Sequence, residues 1–216
     1  MYEKIFKRLI DIVLSFIGVV ILAIPMLILS LAVVIDDPGP VFFRQKRVGQ
    51  KKNGEITYFN LIKFRTMKMS TPHDMPTHML KNPDQYITKV GKVLRKTSLD
   101  ELPQILQIFT GKMTIIGPRP ALWNQDDLVA EREKYGANDV KPGLTGWAQI
   151  NGRDELQIPI KAKLDGDYTR ILKSGGFKAF SMDIKCFLGT ITSVLKHDGV
   201  VEGGTGELEK KMESIK

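Results

Sequence analysis

A single cysteine, Cys186, leaves this chain with no means of forming an internal disulfide framework. Its three histidines, His73, His78 and His197, are scattered, and with one cysteine they make no closed zinc set. No internal repeat appears. No nucleic-acid recognition motif accompanies the basic balance, so the charge alone does not make a DNA or RNA binder. Long hydrophobic runs are absent except in one place.

That place is Ile12 to Ile35, 24 residues without a charge. It exceeds the roughly 20 residues that cross a bilayer and is too long for a signal-peptide core. Pro25 lies near its middle and removes a backbone donor, so a kink or break is expected. The pieces on either side would be roughly 20 and 15 Å long, against a hydrocarbon core of about 30 Å. Lys4, Lys7 and Arg8 precede the run, and Arg44, Lys46, Arg47, Lys51 and Lys52 follow it. Two basic flanks fit both ends on the cytoplasmic side, because a spanning helix wants one side poorer in Lys and Arg. A re-entrant helix is the expectation. A simple spanning helix and a buried soluble helix are the alternatives.

The remainder is polar and basic. The net charge of +8 points to anionic partners: nucleic acid, a membrane surface or phosphate substrates. Asp36-Asp37-Pro38-Gly39-Pro40 stops the apolar run. Val41–Val48 and Ile56–Met67 read as strands around the tight-turn pair Asn53-Gly54, a β-hairpin. Residues 70–83 read as a loop. Helices are expected at 86–94, 102–109 (ended by Gly111), 125–135 (capped by Gly136) and 160–172. Residues 140–152 read as a Gly-rich loop with short extended pieces. Residues 177–195 carry apolar positions near a 3.6 period, an amphipathic helix for a membrane surface or for ordinary core packing. The charged tail, 203–216, reads as disordered. The fold class expected is α/β (α+β): a mainly helical domain with a small β-hairpin, an N-terminal re-entrant membrane helix and amphipathic interfacial helices. The divisions are 1–36, 37–200 and 201–216.

The richest stretch for chemistry is Arg95-Lys96-Thr97-Ser98-Leu99-Asp100-Glu101-Leu102-Pro103-Gln104. Proline is tolerated in a helix only in its first turn, so Pro103 places a helix start close to Asp100. A carboxylate there sits beside outward-pointing N–H groups that also bind phosphate. The plainer reading is a capping box of Ser98 and Glu101, with Asp100 a first-turn acid. Gly117-Pro118-Arg119-Pro120 fixes the backbone around one guanidinium, which can grip a phosphate bidentately or pair with a local carboxylate. Lys63 and Arg65 share a face of the second strand by alternation, either at the site or as a solvated face. Basic elements at 63–65, 95–96 and 119 around an acidic pair suit a diphosphate better than a nucleic-acid backbone.

Taken in order, these motifs resemble those of the monotopic phosphoglycosyl transferases, or bacterial sugar transferases. The matching residues are Arg44-Gln45 with Arg47-Val48-Gly49, Lys63 to Met67, Thr97 to Gln104, Gly117 to Pro120, and Pro142 to Gln149. Leu164-Asp165 with Tyr168, and Asp183 heading the last helix, complete the series. The resemblance implies attachment to the cytoplasmic face of a bacterial inner membrane. It implies transfer of a sugar-1-phosphate from a UDP-sugar to polyprenyl phosphate, with Asp100 as nucleophile and UMP released. Mg²⁺ is the implied cofactor and Glu101 its implied ligand; Lys63, Arg65, Arg95 and Arg119 are the implied phosphate clamps, and Asp165 completes the site. Membrane lipid is the implied third partner, and oligomeric state, a homo-oligomer included, stays open. Members often carry Ser before the helix-breaking proline, whereas Ile24 stands there in this chain, so one hydrogen bond at the break is missing. The competing readings are a non-catalytic membrane-anchored module for anionic lipid or a partner protein, and a transferase acting by direct displacement. The motifs do not select among galactose, glucose and N-acetylated or dideoxy sugars.

Overall fold

The computed structural model describes residues 2–71, 83–152 and 156–196. The expected loop at 70–83 falls largely outside the described residues. The 203–216 tail and the three histidines lie outside them altogether.

The apolar run forms one helix, α1 (Lys7–Asp36), preceded by a π-helical turn at Tyr2–Phe6. Of the kink or break expected at Pro25, the break does not occur; the helix continues through that residue. A break would strand several backbone groups among apolar side chains that offer no partner. Continuation forfeits only what Pro25 cannot donate. Asp37 ends the helix in extended backbone, its N–H bonded to the Val33 carbonyl.

Strands β1 (Phe42–Lys52) and β2 (Glu55–Phe64) form the expected antiparallel hairpin. Asn53 and Gly54 both take positive φ, 51° and 83°, which the tight turn requires. Short elements follow: a 3₁₀ turn over Pro83–Tyr86, α2 (Lys89–Thr97), a second 3₁₀ turn over Leu99–Glu101, α3 (Gln104–Phe109) and strand β3 (Thr114–Ile116). Then come α4 (Asp126–Glu133), strand β4 (Gly143–Thr145), α5 (Trp147–Ile150), α6 (Ile158–Ser174) and α7 (Gly176–Lys196). The pairing of β3 with β4, parallel and two residues deep, was not expected, nor was the helical turn α5 inside the Gly-rich loop. Three-residue strands carry too little alternation to read.

Among the described residues the core lies in four small clusters rather than one. The largest packs Ile116 and Val140 against Tyr168 and Leu172 of α6 and Ala179, Met182 and Cys186 of α7. A second sets Val33, near the end of α1, against Phe64 of β2 and Leu94 of α2, with Leu99 and Leu102 alongside. The second 3₁₀ turn is thus clamped between the end of α1, the end of β2 and α2.

Two surfaces remain apolar and open. Along α1 the middle of the helix faces outward, with Ile24 at 71% exposure. On α7 the core-facing stripe is Ala179, Met182 and Cys186, while Phe177 (80% exposed), Phe180, Ile184, Phe187, Leu188 and Ile191 point away. Core packing therefore does not account for the second stripe.

The two ends of α1 are fastened to the same domain. At its start, Lys7 Nζ donates to Asp183 Oδ2 of α7 (2.8 Å) and Arg8 donates to the Ile108 and Phe109 carbonyls (2.7 Å each). The Asp11 carboxylate accepts from the Thr114 hydroxyl (2.6 Å) and the Ile115 N–H (3.0 Å). At its end, Asp36 accepts from the Val90 N–H (2.7 Å), and Asp37 pairs with Arg65.

Candidate active site

The site grows from the packing of α3 on β2. The Gln107 carboxamide mimics a neighbouring strand: its Oε1 accepts the Ile62 N–H (3.0 Å) and its Nε2 donates to the Asn60 carbonyl (2.7 Å). This fixes the register of the helix along the strand, and Lys63, one residue on, faces the turn that precedes the helix. That turn holds Asp100 and Glu101. Pro103 stands as N-cap of α3, so the expected helix start near Asp100 is met through a 3₁₀ turn. The capping box is not formed. Ser98 is left-handed (φ 56°) and its side chain makes no cap hydrogen bond.

The third wall is the Gly117–Pro120 loop. Gly117 N–H donates to the Thr145 carbonyl (2.8 Å) and Gly143 N–H to the Pro118 carbonyl (2.9 Å), extending the β3–β4 pair. The backbones come so close that a Cβ on Gly143 would lie 2.2 Å from the Gly117 nitrogen. Arg132 of α4 then holds the Arg119 carbonyl (3.0 Å), and Arg47 of β1 holds that of Pro120 (3.1 Å).

Arg119 grips Glu101 with both terminal nitrogens, at 2.5 and 3.2 Å, and Lys63 Nζ donates to the same carboxylate at 2.8 Å. Asp100 is 8% exposed and makes no hydrogen bond among the described residues; its nearest cation is Lys63, at 3.6 Å. The two adjacent acids are thereby driven apart electrostatically. Burial pushes the Asp100 carboxyl above its ordinary range, and the Glu101 charge adds to this, while Lys63, Arg119 and Arg95 pull back without cancelling it. Burial also pushes Glu101 upward, but Arg119 and Lys63 outweigh it and hold that group well below the usual carboxylate range. Glu101 is a fixed anion with its acceptor sites largely filled. Asp100 is the more basic carboxylate and the one left open, an arrangement suited to nucleophilic attack on phosphorus.

A match to the family model for bacterial sugar transferases covers residues 2–197. The chain belongs to that family. Among its relatives, it is 41% identical over 158 residues to the "UDP-glucose:undecaprenyl-phosphate glucose-1-phosphate transferase" of Escherichia coli (strain K12), over 69% of this chain and 32% of that protein. It is 36% identical over 197 residues to the "Uncharacterized sugar transferase EpsL" of Bacillus subtilis (strain 168), covering 91% and 90%. A glucose-1-phosphate transferase of the same printed name from Caulobacter vibrioides is 37% identical over 198 residues, covering 89% and 70%. The chain spans about a third of the length of the Escherichia coli relative. Family and exposed apolar helix together make this family member a membrane-anchored protein.

Of the residues singled out in the sequence, this family member brings Lys63, Asp100, Glu101 and Arg119 into one cluster. Arg95 is close enough to act on Asp100 through its charge, and its Nε donates to Thr66 Oγ1 (2.8 Å). Arg65 goes elsewhere: its guanidinium pairs with Asp37 and donates to the Pro40 carbonyl (2.7 Å), stapling the hairpin to the end of α1. Asp165 also stays back. It receives two bonds from Arg132, at 2.8 and 2.6 Å, and reaches the cluster only through that residue's hold on Arg119. Burial pushes the Asp165 carboxyl up despite Arg132 beside it. Asp183 lies inside α7 rather than heading it, and gathers Tyr2, Lys7 and Tyr168. The sequence reading missed Arg132, since α4 reads as a polar helix and nothing in its spacing marks one arginine as buried.

For a cation, no group of three His, Cys, Asp or Glu side chains forms among the described residues. Mg²⁺ asks for less, one or two carboxylates with water and substrate phosphate oxygens completing the shell. The open Asp100 carboxylate and the less occupied Oε2 of Glu101 fit that demand.

Proposed function

We propose that the chain moves a sugar-1-phosphate from a UDP-sugar to polyprenyl phosphate by two displacements at phosphorus. An Asp100 carboxylate oxygen attacks the β-phosphorus, the bond from that phosphorus to the bridging oxygen breaks, and UMP departs carrying that oxygen. A phosphate oxygen of the polyprenyl carrier then attacks the same phosphorus, and Asp100 leaves as carboxylate. The observation that carries this reading is the division of labour in the acidic pair. Asp100 is buried, raised and, among the described residues, without a hydrogen bond beside three cations, while Glu101 is gripped by Arg119 and Lys63 chiefly through one of its oxygens. Two steps suit the electrostatics, because each needs only one anion brought to the phosphorus at a time.

Arg119, Lys63 and Arg95 would hold the diphosphate and offset its charge. Asp100 and Glu101 would hold Mg²⁺, which when bound supplies further screening of the phosphate oxygens. The printed names of relatives support the donor and acceptor classes. Both ends of α1 are bonded to the domain that carries Asp100, and the outward middle of the helix is apolar. This favours a helix that bends at Pro25 without being divided there, entering one leaflet and returning, with the domain on the cytoplasmic face of the bacterial inner membrane. It would set the acid where a lipid-borne phosphate lies.

The test is UMP release from a panel of UDP-sugars with undecaprenyl phosphate and Mg²⁺. The native chain should release UMP with its preferred sugar, and Asp100→Ala should not. A sugar-labelled donor without acceptor should leave label on the native protein and none on Asp100→Asn. Native-rate turnover by either variant would refute the proposal.

A further inference from the structure

We propose that the cavity beside the start of α1 seats the headgroup of a zwitterionic phospholipid, a phosphoethanolamine, with its phosphate on Lys4 and Lys141 and its ammonium on Glu3. The cavity shares no lining residue with the cluster of Lys63, Asp100, Glu101 and Arg119, and it stands apart from the transfer chemistry.

Glu3, Lys4, Lys7, Arg8 and Asp11 recur at helical spacing, so one face of the first turns is charged. The opposite face is apolar and open, with Ile5, Phe6 and Leu9 each about half exposed. The charged face closes a cavity of about 290 Å³ against Gln50 of β1, Thr114 and Ile116 of β3, Lys141, and Leu172 of α6. That is the space of roughly ten water molecules, enough for a phosphate and its short ethylammonium arm. Charged cavity and open apolar face share the same helical turns, so a lipid headgroup can enter while its chains stay beside Ile5 and Leu9.

Three of the lining groups are already committed. Lys7 is matched by Asp183, the Asp11 carboxylate accepts from Thr114 and Ile115, and Arg8 donates to the neutral carbonyls of Ile108 and Phe109. The side chains of Glu3, Lys4 and Lys141 make no hydrogen bond or ion pair among the described residues. Burial pushes the Lys141 ammonium below its ordinary range. Arg8 and Lys52 add to this, and Asp11 and Glu3 oppose it without cancelling it. A phosphate oxygen beside Lys141 would relieve that burden. A bare anion would meet Glu3, and a bare cation would meet Lys4 and Lys141. A headgroup of both signs satisfies all three open side chains at once, through charge-assisted hydrogen bonds.

The test uses the full chain released from nanodiscs of equal phosphatidylethanolamine, phosphatidylcholine and phosphatidylglycerol, with the retained lipids counted by native mass spectrometry. The native protein should retain phosphatidylethanolamine at least about fivefold over the other two, since a trimethylammonium offers Glu3 no N–H and a glycerol offers it no cation. Glu3→Gln should bring phosphatidylethanolamine down to the level of phosphatidylcholine, and Lys141→Met should lower its retention as well. Equal retention of the three lipids by the native chain overturns the proposal, and so does a preference that survives Glu3→Gln. Displacement of the lipid by inorganic phosphate alone would mark a plain anion site and overturn it too. Should a variant not fold, the native ranking of the lipids decides.

Discussion

Lys63 stands 3.6 Å from Asp100 because Glu101 holds its ammonium at 2.8 Å. The lysine therefore acts on Asp100 by charge and not by a short hydrogen bond, and the acid keeps its lone pairs open. Among the groups that lower the Asp100 carboxyl, Lys63 is the largest.

The first consequence concerns pH. Attack requires ionised Asp100, whose value is raised, so UMP release should climb with pH along an acid limb above the ordinary aspartate range. Lys63→Met removes a lowering influence and should move that limb to still higher pH. The measurement is kcat/KM for UMP release against pH. A limb that moves downward in the variant would contradict the assigned role.

Glu101→Gln should move the same limb the other way, since the Glu101 charge raises Asp100. It also leaves Arg119 and Lys63 without their anion, at a cost on the order of 2 kcal/mol at neutral pH. The native Glu101 value is depressed below its ordinary 4.5, so its contribution is full above about that pH. The stability gap between native and variant should be widest at neutral pH and shrink below about pH 4.5, where the unfolded chain's carboxylate takes up a proton while the folded one stays ionised. Melting curves at pH 7 and pH 4 read this directly.

Arg132 and Asp165 form a pair with side chains 5% and 1% exposed. Arg132→Met strands a buried carboxyl and should cost about 3–5 kcal/mol. Adding Asp165→Leu should recover most of the Tm. Activity should stay low in the double variant, because the Arg119 carbonyl has lost its 3.0 Å anchor. Full recovery of kcat/KM would show that the anchor does not matter.

The placement of α1 can be read by labelling. With the buried Cys186 changed to Ser, cysteines introduced singly at Lys4 and Pro38 should both react with an impermeant maleimide from the same face of sealed vesicles. Reaction from opposite faces would make α1 a spanning helix.

Local chemistry was legible along the chain. Asn53-Gly54 announced the hairpin, because few residue pairs tolerate two positive φ values. Asp36 to Pro40 announced the end of the apolar helix, and Pro103 a helix start beside Asp100. Lys63 and Arg65 looked equivalent, since alternation puts them on one face. Packing separates them: Lys63 turns to Glu101 and Arg65 to Asp37, contacts 38 and 28 residues away in the chain. Arg132 sat unmarked in a stretch that reads as a polar helix.

Residue order was enough to show a lipid-seeking helix, a hairpin and an acidic pair at a helix start. Those features depend on neighbours a few positions apart, where backbone sterics and hydrophobic period dominate. Which cation meets which acid, and which of two adjacent carboxylates stays open, came from β2, α3 and the Arg119 loop converging across distant parts of the chain. Burial and charge at that junction raise Asp100 and lower Glu101. Such differences arise only once water has been excluded and the partners have been brought within a few ångströms.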